Sequence, residues 1–178
     1  MNLRKNNIVI LGMTGVGKTT IGKILSKILK FKFIDIDYEI ERASSLKVQD
    51  FFEKYGEKEF RELERKIFLR SLQKKDNTII STGAGILSEK KIISEIKKKS
   101  ISIFLDISMS NLLNRLKHNT RNRPKLRGNL KKNLENMYKN RIINYNQADI
   151  KISVNNLTAG DTISRIIKKL NYEKIQLT

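Results

Sequence analysis

The most chemically specific stretch of the chain is Gly12-Met13-Thr14-Gly15-Val16-Gly17-Lys18-Thr19, an unbroken G-x-x-x-x-G-K-T phosphate-binding pattern. Its spacing has a physical reason. Gly12, Gly15 and Gly17 let the backbone wrap with its N–H groups turned inward around a polyphosphate, and a helix starting at Lys18 adds its positive end. Lys18 is placed to reach β and γ phosphates, and the Thr19 hydroxyl is a hard oxygen suited to Mg²⁺. Gly12, Gly15, Val16, Gly17, Lys18, Thr19 and Thr20 are therefore the candidate nucleotide contacts, and the pattern predicts an ATP or GTP site.

Four other places carry residues of the right type for small-molecule chemistry. Asp35-Ile36-Asp37 follows an apolar run, and strand alternation would turn both carboxylates to one side of an extended backbone. Ser81-Thr82-Gly83-Ala84-Gly85 is a small-residue turn whose N–H groups can approach a ligand closely. Arg61 and Glu64 lie one helical turn apart, as do Arg141 and Tyr145, and Arg123-Pro124 sits in a strongly basic stretch. Each has a plainer reading: a helix N-cap for the aspartates, a solvated helix ion pair for Arg61 and Glu64, ordinary turn glycines, and surface residues on the late helix. The sharper reading gains weight because all of these lie in order around one phosphate loop.

The elements that must position these residues follow from hydrophobic periodicity. Short apolar strands are expected near 7–11, 33–36, 78–81, 101–105 and 150–154. Helices are expected near 18–30, 38–43, 48–72, 88–98, 108–118, 129–145 and 159–171. Such alternation predicts an α/β fold: a parallel five-stranded sheet with helices on both faces and a basic loop over the site. In such sheets ligands bind outside the carboxyl ends of the strands, where most of the candidate residues fall. Nothing in residues 1–178 reads as a linker or a repeat, so a single domain is expected.

Composition narrows the function classes. There are 37 Lys plus Arg against 18 Asp plus Glu, a formal charge of +19, which raises nucleic-acid binding as an option. The lysines are scattered among asparagines and isoleucines, as in Lys97-Lys98-Lys99 and Lys168-Lys169, which favours solvated helix faces. A positive field would still steer anionic substrates inward. The chain has no cysteine and a single histidine, His118, so thiol chemistry and a histidine metal cluster are excluded; His118 is expected on a solvated loop or helix end. No apolar run approaches the roughly 20 residues of a membrane span, and the first core strand starts close to Met1, so a cytoplasmic location is expected.

With these residues in view, the chain resembles the shikimate kinase family. The resemblance rests on the Gly12 to Thr19 loop, Asp35-Ile36-Asp37 with Glu39 and Glu41, and the run Gly56-Glu57-Lys58-Glu59-Phe60-Arg61-Glu62-Leu63-Glu64. It rests further on the Thr82-Gly83-Ala84-Gly85 turn, Arg123-Pro124, and Arg141 with Tyr145. It implies a P-loop kinase fold and transfer of the γ-phosphoryl group of MgATP to the 3-hydroxyl of shikimate, a step of aromatic amino-acid biosynthesis. It further implies that Asp37 meets the reacting hydroxyl, Asp35 and Thr19 serve the metal, and Arg61 and Arg141 bind the substrate carboxylate with Glu64 holding them. Gly83, Ala84 and Gly85 would line the substrate, substrate-binding helices would span about 37–64, and Phe52 and Phe60 would give apolar contacts. Arg123 would be the lid residue in a lid near 117–128, acting on turnover more than on ground-state binding, and Arg115 would stack on adenine. Shikimate and ATP are the implied partners, with no nucleic acid or membrane, and a monomer is implied.

Three departures from the family pattern stand out. Ala84 replaces the middle glycine of a triplet, where a Cβ would either crowd the ligand and resist a positive φ or be tolerated. Lys125 stands where leucine is usual, and Arg121 and Arg127 add cations to the lid, leaving Pro124 to single out Arg123. Other readings remain open: a different P-loop kinase of a small metabolite, such as a gluconate-type or nucleoside-type kinase; a catalytically weak homologue kept for binding; and a basic nucleic-acid-binding protein.

Overall fold

Asn7 and the apolar run Ile8, Val9, Ile10 and Leu11 are buried on both faces, as the central strand of a parallel sheet must be. In the computed structural model, which describes residues 7–74, 76–116 and 129–172, this strand is β1 (Asn7–Leu11). The others are β2 (Lys32–Asp35), β3 (Thr78–Ser81), β4 (Ser100–Asp106) and β5 (Ile150–Ser153). All five form one sheet in the order β2-β3-β1-β4-β5, and every pairing is parallel. Because β1 is flanked by β3 and β4, the loops leaving these three carboxyl ends lie side by side. There the phosphate loop and the small-residue turn meet.

Seven helices connect the strands among the described residues: α1 (Lys18–Leu29), α2 (Ile36–Ser44), α3 (Val48–Leu72), α4 (Lys90–Lys99), α5 (Met109–Leu116), α6 (Leu130–Tyr145) and α7 (Ala159–Tyr172). Helix α1 buries Ile21 and Leu25 and packs on β1, β2, β3 and α7, whereas α4 packs on β4 and α3. The sheet is parallel and five-stranded with helices packed on it, as the sequence predicts. None of the described helices is long and apolar enough to cross a membrane. Lys97, Lys98, Lys168 and Lys169 are exposed, as solvated helix faces should be.

Two local expectations change. The stretch 48–72 is broken at Gly56, whose φ of 81° and ψ of 179° leave the helical region, so Arg61 and Glu64 ride on a segment re-aimed relative to the first two turns of α3. A left-handed φ at this point favours glycine, the residue present. The pair Asp35 and Asp37 does not lie along an extended strand: Asp35 ends β2 and caps α2, its Oδ1 accepting from the Tyr38 N–H at 3.3 Å, and Asp37 is already in the first turn of α2. The cap brings the helix start forward to Ile36, and both carboxylates still line one cleft. The basic stretch 117–128, with His118, Arg121, Arg123, Pro124, Lys125 and Arg127, lies outside the described residues.

Candidate active site

The phosphate loop joins β1 to α1 through left-handed glycines. Gly12 has φ 145°, and a Cβ there would stand 2.8 Å from the Leu105 carbonyl of β4, so the loop's first turn packs against the sheet only with glycine. Gly17, at φ 105°, is the N-cap of α1, which has no side-chain cap and no acidic residue in its first turn. The N–H groups of that turn, uncapped by a side chain at Gly17, make a ready anion site. Lys18 is buried, and its Nζ donates to the carbonyls of Gly12 at 2.9 Å and Met13 at 3.0 Å, holding a positive charge across the loop. Val16 closes the loop with an N–H to the Met13 carbonyl at 3.3 Å, and Thr20 is exposed on the first turn of α1.

Next to this loop the Thr19 hydroxyl donates to Asp35 Oδ2 at 2.6 Å. Two hard oxygens from different elements therefore sit together beside the phosphate loop, the donor type that Mg²⁺ takes alongside water and phosphate. Thr19, Asp35 and Asp37 also line a cleft of about 510 Å³. Asp37 is exposed onto this cleft, with protein atoms also crowding around its carboxylate. Desolvation there, followed by the negative charge of Asp35, pushes its pKa from 3.8 up to about 6; Lys18 and Arg61 pull the other way and Glu64 adds to the rise. A carboxylate with a pKa near neutrality is suited to accept and release a proton.

The small-residue turn after β3 joins this carboxylate to the arginines. A Cβ on Gly83 would lie 2.1 Å from Glu64 Oε1 and 3.2 Å from Asp37 Oδ1, so both acids press against that glycine. A Cβ on Gly85 would lie 2.6 Å from the Arg61 guanidinium carbon. Glu64 is 1 % exposed and forms a tight ion pair with Arg61 Nη1, while Arg61 Nε reaches Glu57 at 3.4 Å. The Arg61 guanidinium also lies 5.2 Å from the Phe60 ring centroid, and Phe60 packs on Phe52 at 4.3 Å between centroids. Arg141, on α6, completes the group: with Arg61, Ala84, Gly85, Leu87 and Met137 it lines a cleft of about 320 Å³. Arg141 Nη1 is buried without a hydrogen-bond partner among the described residues, a charged donor left for a further acceptor.

Ala84 does not have a positive φ, so the turn accommodates its methyl group without backbone strain, and the residue lines the cleft with Arg61 and Arg141. Gly83 and Gly85 also lie outside the left-handed region; they serve close approach. Gly85→Ala is accordingly expected to displace the Arg61 guanidinium and raise the apparent KM for an organic acid by about tenfold, with that for ATP changed by less than about twofold. Steady-state kinetics with each substrate varied in turn checks this.

Arg115, on α5, donates from Nη1 to the Val16 carbonyl at 3.0 Å and from Nη2 to the Val154 carbonyl at 3.3 Å. Its guanidinium thus lies between the phosphate loop and the loop after β5, away from the acid cleft. Arg123 cannot be added to this geometry because it lies outside the described residues. Gly56, Glu57 and Tyr145 enter from the sequence only as signature residues of the family, with no role assigned to them. The signal for Tyr145 was its position one turn beyond Arg141.

The family model for shikimate kinase matches residues 14–171. A shikimate kinase of Clostridium botulinum is 42 % identical over 165 residues, covering 92 % of this chain and 96 % of that protein. One from a Sulfurihydrogenibium species is 35 % identical over 164 residues, covering 92 % and 97 %. Among solved structures, shikimate kinase from Acinetobacter baumannii in complex with shikimate superposes with a TM-score of 0.90 at 29 % identity, covering 96 % of this chain and 95 % of that one. The phosphate loop, the carboxylate pair and the two converging arginines thus sit on a chain that belongs to the shikimate kinase family.

Proposed function

We propose that the chain transfers the γ-phosphoryl group of MgATP to the 3-hydroxyl of shikimate, giving shikimate 3-phosphate and ADP, with the labour divided as follows. The ATP-dependent kinase activity on shikimate comes with family membership; the assignment of roles to residues is our reading. One observation carries it: a single turn, Gly83 to Gly85, holds the Asp37 and Glu64 carboxylates on one side and the Arg61 guanidinium on the other, with Lys18 close enough to lower the pKa of Asp37. An organic acid gripped by Arg61 and Arg141 would present a hydroxyl to Asp37 and to the end of the phosphate loop.

In this reading the planar forks of Arg61 and Arg141 bind the substrate carboxylate, and Glu64 fixes Arg61 in register. Asp37 accepts the proton of the 3-hydroxyl as that oxygen attacks phosphorus. Lys18 and the N–H groups of Gly15, Val16, Gly17, Thr19 and Thr20 stabilise charge on the phosphoryl oxygens. Thr19 and Asp35 would hold Mg²⁺, which when bound neutralises phosphate charge. Arg115 is assigned to the adenine end, where its tie to the Val16 carbonyl would orient it. Arg123 in the loop 117–128 is assigned to the transferring phosphoryl group, and that loop to excluding water. Residues 1–178 are read as one domain, acting as a monomer in the cytoplasm.

The direct experiment is a coupled assay of ADP formation with and without shikimate, run beside Ala84→Gly. ADP release that depends on shikimate is expected, with Ala84→Gly changing the shikimate KM by no more than about threefold, since one methyl group is worth about 1 kcal/mol. ADP release that is indifferent to shikimate but rises with another hydroxy acid would assign the cleft to a different acid.

A further inference from the structure

Tyr145 is the last residue of α6 and is 1 % exposed, yet its hydroxyl lies among groups that belong to both halves of the cleft. The hydroxyl is 2.5 Å from the carbonyl of Ala84, in the turn that carries the acid-binding residues, and 3.2 Å from the carbonyl of Gly12, the first glycine of the phosphate loop. That same Gly12 carbonyl accepts the Lys18 ammonium at 2.9 Å. The Arg141 guanidinium, one turn earlier on α6, is near enough to the phenol for its charge to oppose the effect of burial. One oxygen therefore touches the anchor of Lys18 and the backbone between Gly83 and Gly85. A phenol has one proton to give, and here two carbonyls from different loops lie within its reach.

The ring is held firmly. It stacks on Phe104 of β4 with centroids 5.0 Å apart and planes 22° from parallel. Burial pushes the phenol pKa up to about 12, so the group stays neutral and keeps its proton to donate. A buried hydroxyl bridging two loops from different strands is a costly feature for a core that a phenylalanine would fill equally well.

We propose that Tyr145 is a positioning residue for phosphoryl transfer: its hydroxyl sets the distance between the phosphate loop and the acid-binding turn. Resting on the functional reading above, this adds a residue that touches neither substrate. An in-line transfer depends steeply on the separation of the attacking oxygen and the phosphorus, and misplacement by about 1 Å costs up to about 10²-fold in rate.

Tyr145→Phe keeps the ring and its stacking and removes only the oxygen. It is expected to lower kcat by about tenfold and raise the shikimate KM by about three- to tenfold, with the ATP KM within about twofold of the parent. In the substrate-free protein, amide exchange of residues 12–19 and 82–86 is expected to quicken together. A merely structural hydroxyl would lower the Tm without this kinetic split. Phe104→Leu, which loosens the ring and keeps the hydroxyl, is the companion variant if Tyr145→Phe folds poorly, and it should move the same parameters in the same direction. Unchanged exchange in either segment, or unchanged kcat in an enzyme whose parent phosphorylates shikimate, overturns the proposal. A parent enzyme with no shikimate turnover would instead sink the functional reading, and the exchange measurement would still decide the role of Tyr145.

Discussion

Asp37→Asn is expected to lower kcat by about 10²- to 10⁴-fold while leaving the KM for ATP within a factor of about three. The substitution keeps the size of the side chain and removes the group that would take the hydroxyl proton. The pH profile gives a sharper form of the test. Because desolvation and the neighbouring Asp35 charge push the Asp37 pKa up to about 6, the protonated, inactive form should dominate below that value. The log of kcat/KM for the parent enzyme should therefore fall with an acid limb near pH 6, and in Asp37→Asn that limb should disappear from whatever activity remains.

The same shift has a consequence for stability with a definite sign. A carboxyl whose pKa is raised on folding favours the folded state below the unfolded value of 3.8, and that contribution is lost as the pH rises through about 6. At pH 8 the substrate-free parent carries a carboxylate where its charge is disfavoured, and Asp37→Asn removes it. The variant should melt at a higher temperature than the parent at pH 8, and the difference should shrink towards pH 4. A lower Tm at pH 8 with the fold intact would mean that Asp37 is held charged for structural reasons.

The second large effect is expected at Arg61. Arg61→Ala should raise the apparent KM for shikimate by about 10²-fold, with the KM for ATP changed by less than about threefold. The guanidinium would supply a two-pronged contact to the substrate carboxylate, and it also neutralises Glu64, which is 1 % exposed. Its loss removes one partner of a charge pair and leaves the other in a buried setting, the situation in which truncation costs most. Arg61→Lys should recover only part of the affinity, since an ammonium lacks the planar fork. Arg61 also lowers the pKa of Asp37, so its removal should carry the acid limb of the pH profile upward. Equal rises in both KM values would detach Arg61 from the acid cleft.

Much of the fold is legible in local sequence because each signal acts over a few residues. The apolar run 8–11, the glycine spacing after it and the periodic apolar face Ile21, Leu25 are enough to specify β1, the phosphate loop and α1. The strand-helix alternation then implies the parallel sheet, and the resemblance to the family places Asp37, Arg61, Glu64 and Arg141 on the candidate site. Less was legible where two tendencies compete at one residue. Asp35 satisfies both a strand end and a helix cap, and the cap decides the start of α2. Glycine at 56 is tolerated inside a helix or breaks it, and here its left-handed φ divides α3.

The sequence alone determined the element order, the nucleotide loop and the identities of the acids and arginines available to a substrate, since these are set by residue type and short spacing. Only the tertiary structure decided that Gly83 touches both Glu64 and Asp37, that Gly85 backs the Arg61 guanidinium, and that the hydroxyl of Tyr145 joins Ala84 and Gly12 across separations of 61 and 133 residues. Such contacts depend on how β1, β3 and α6 are brought together by burial of the sheet. Desolvation and pKa follow from that assembly and from no local pattern, which is why Asp37 gains its proton-accepting character only in the folded chain.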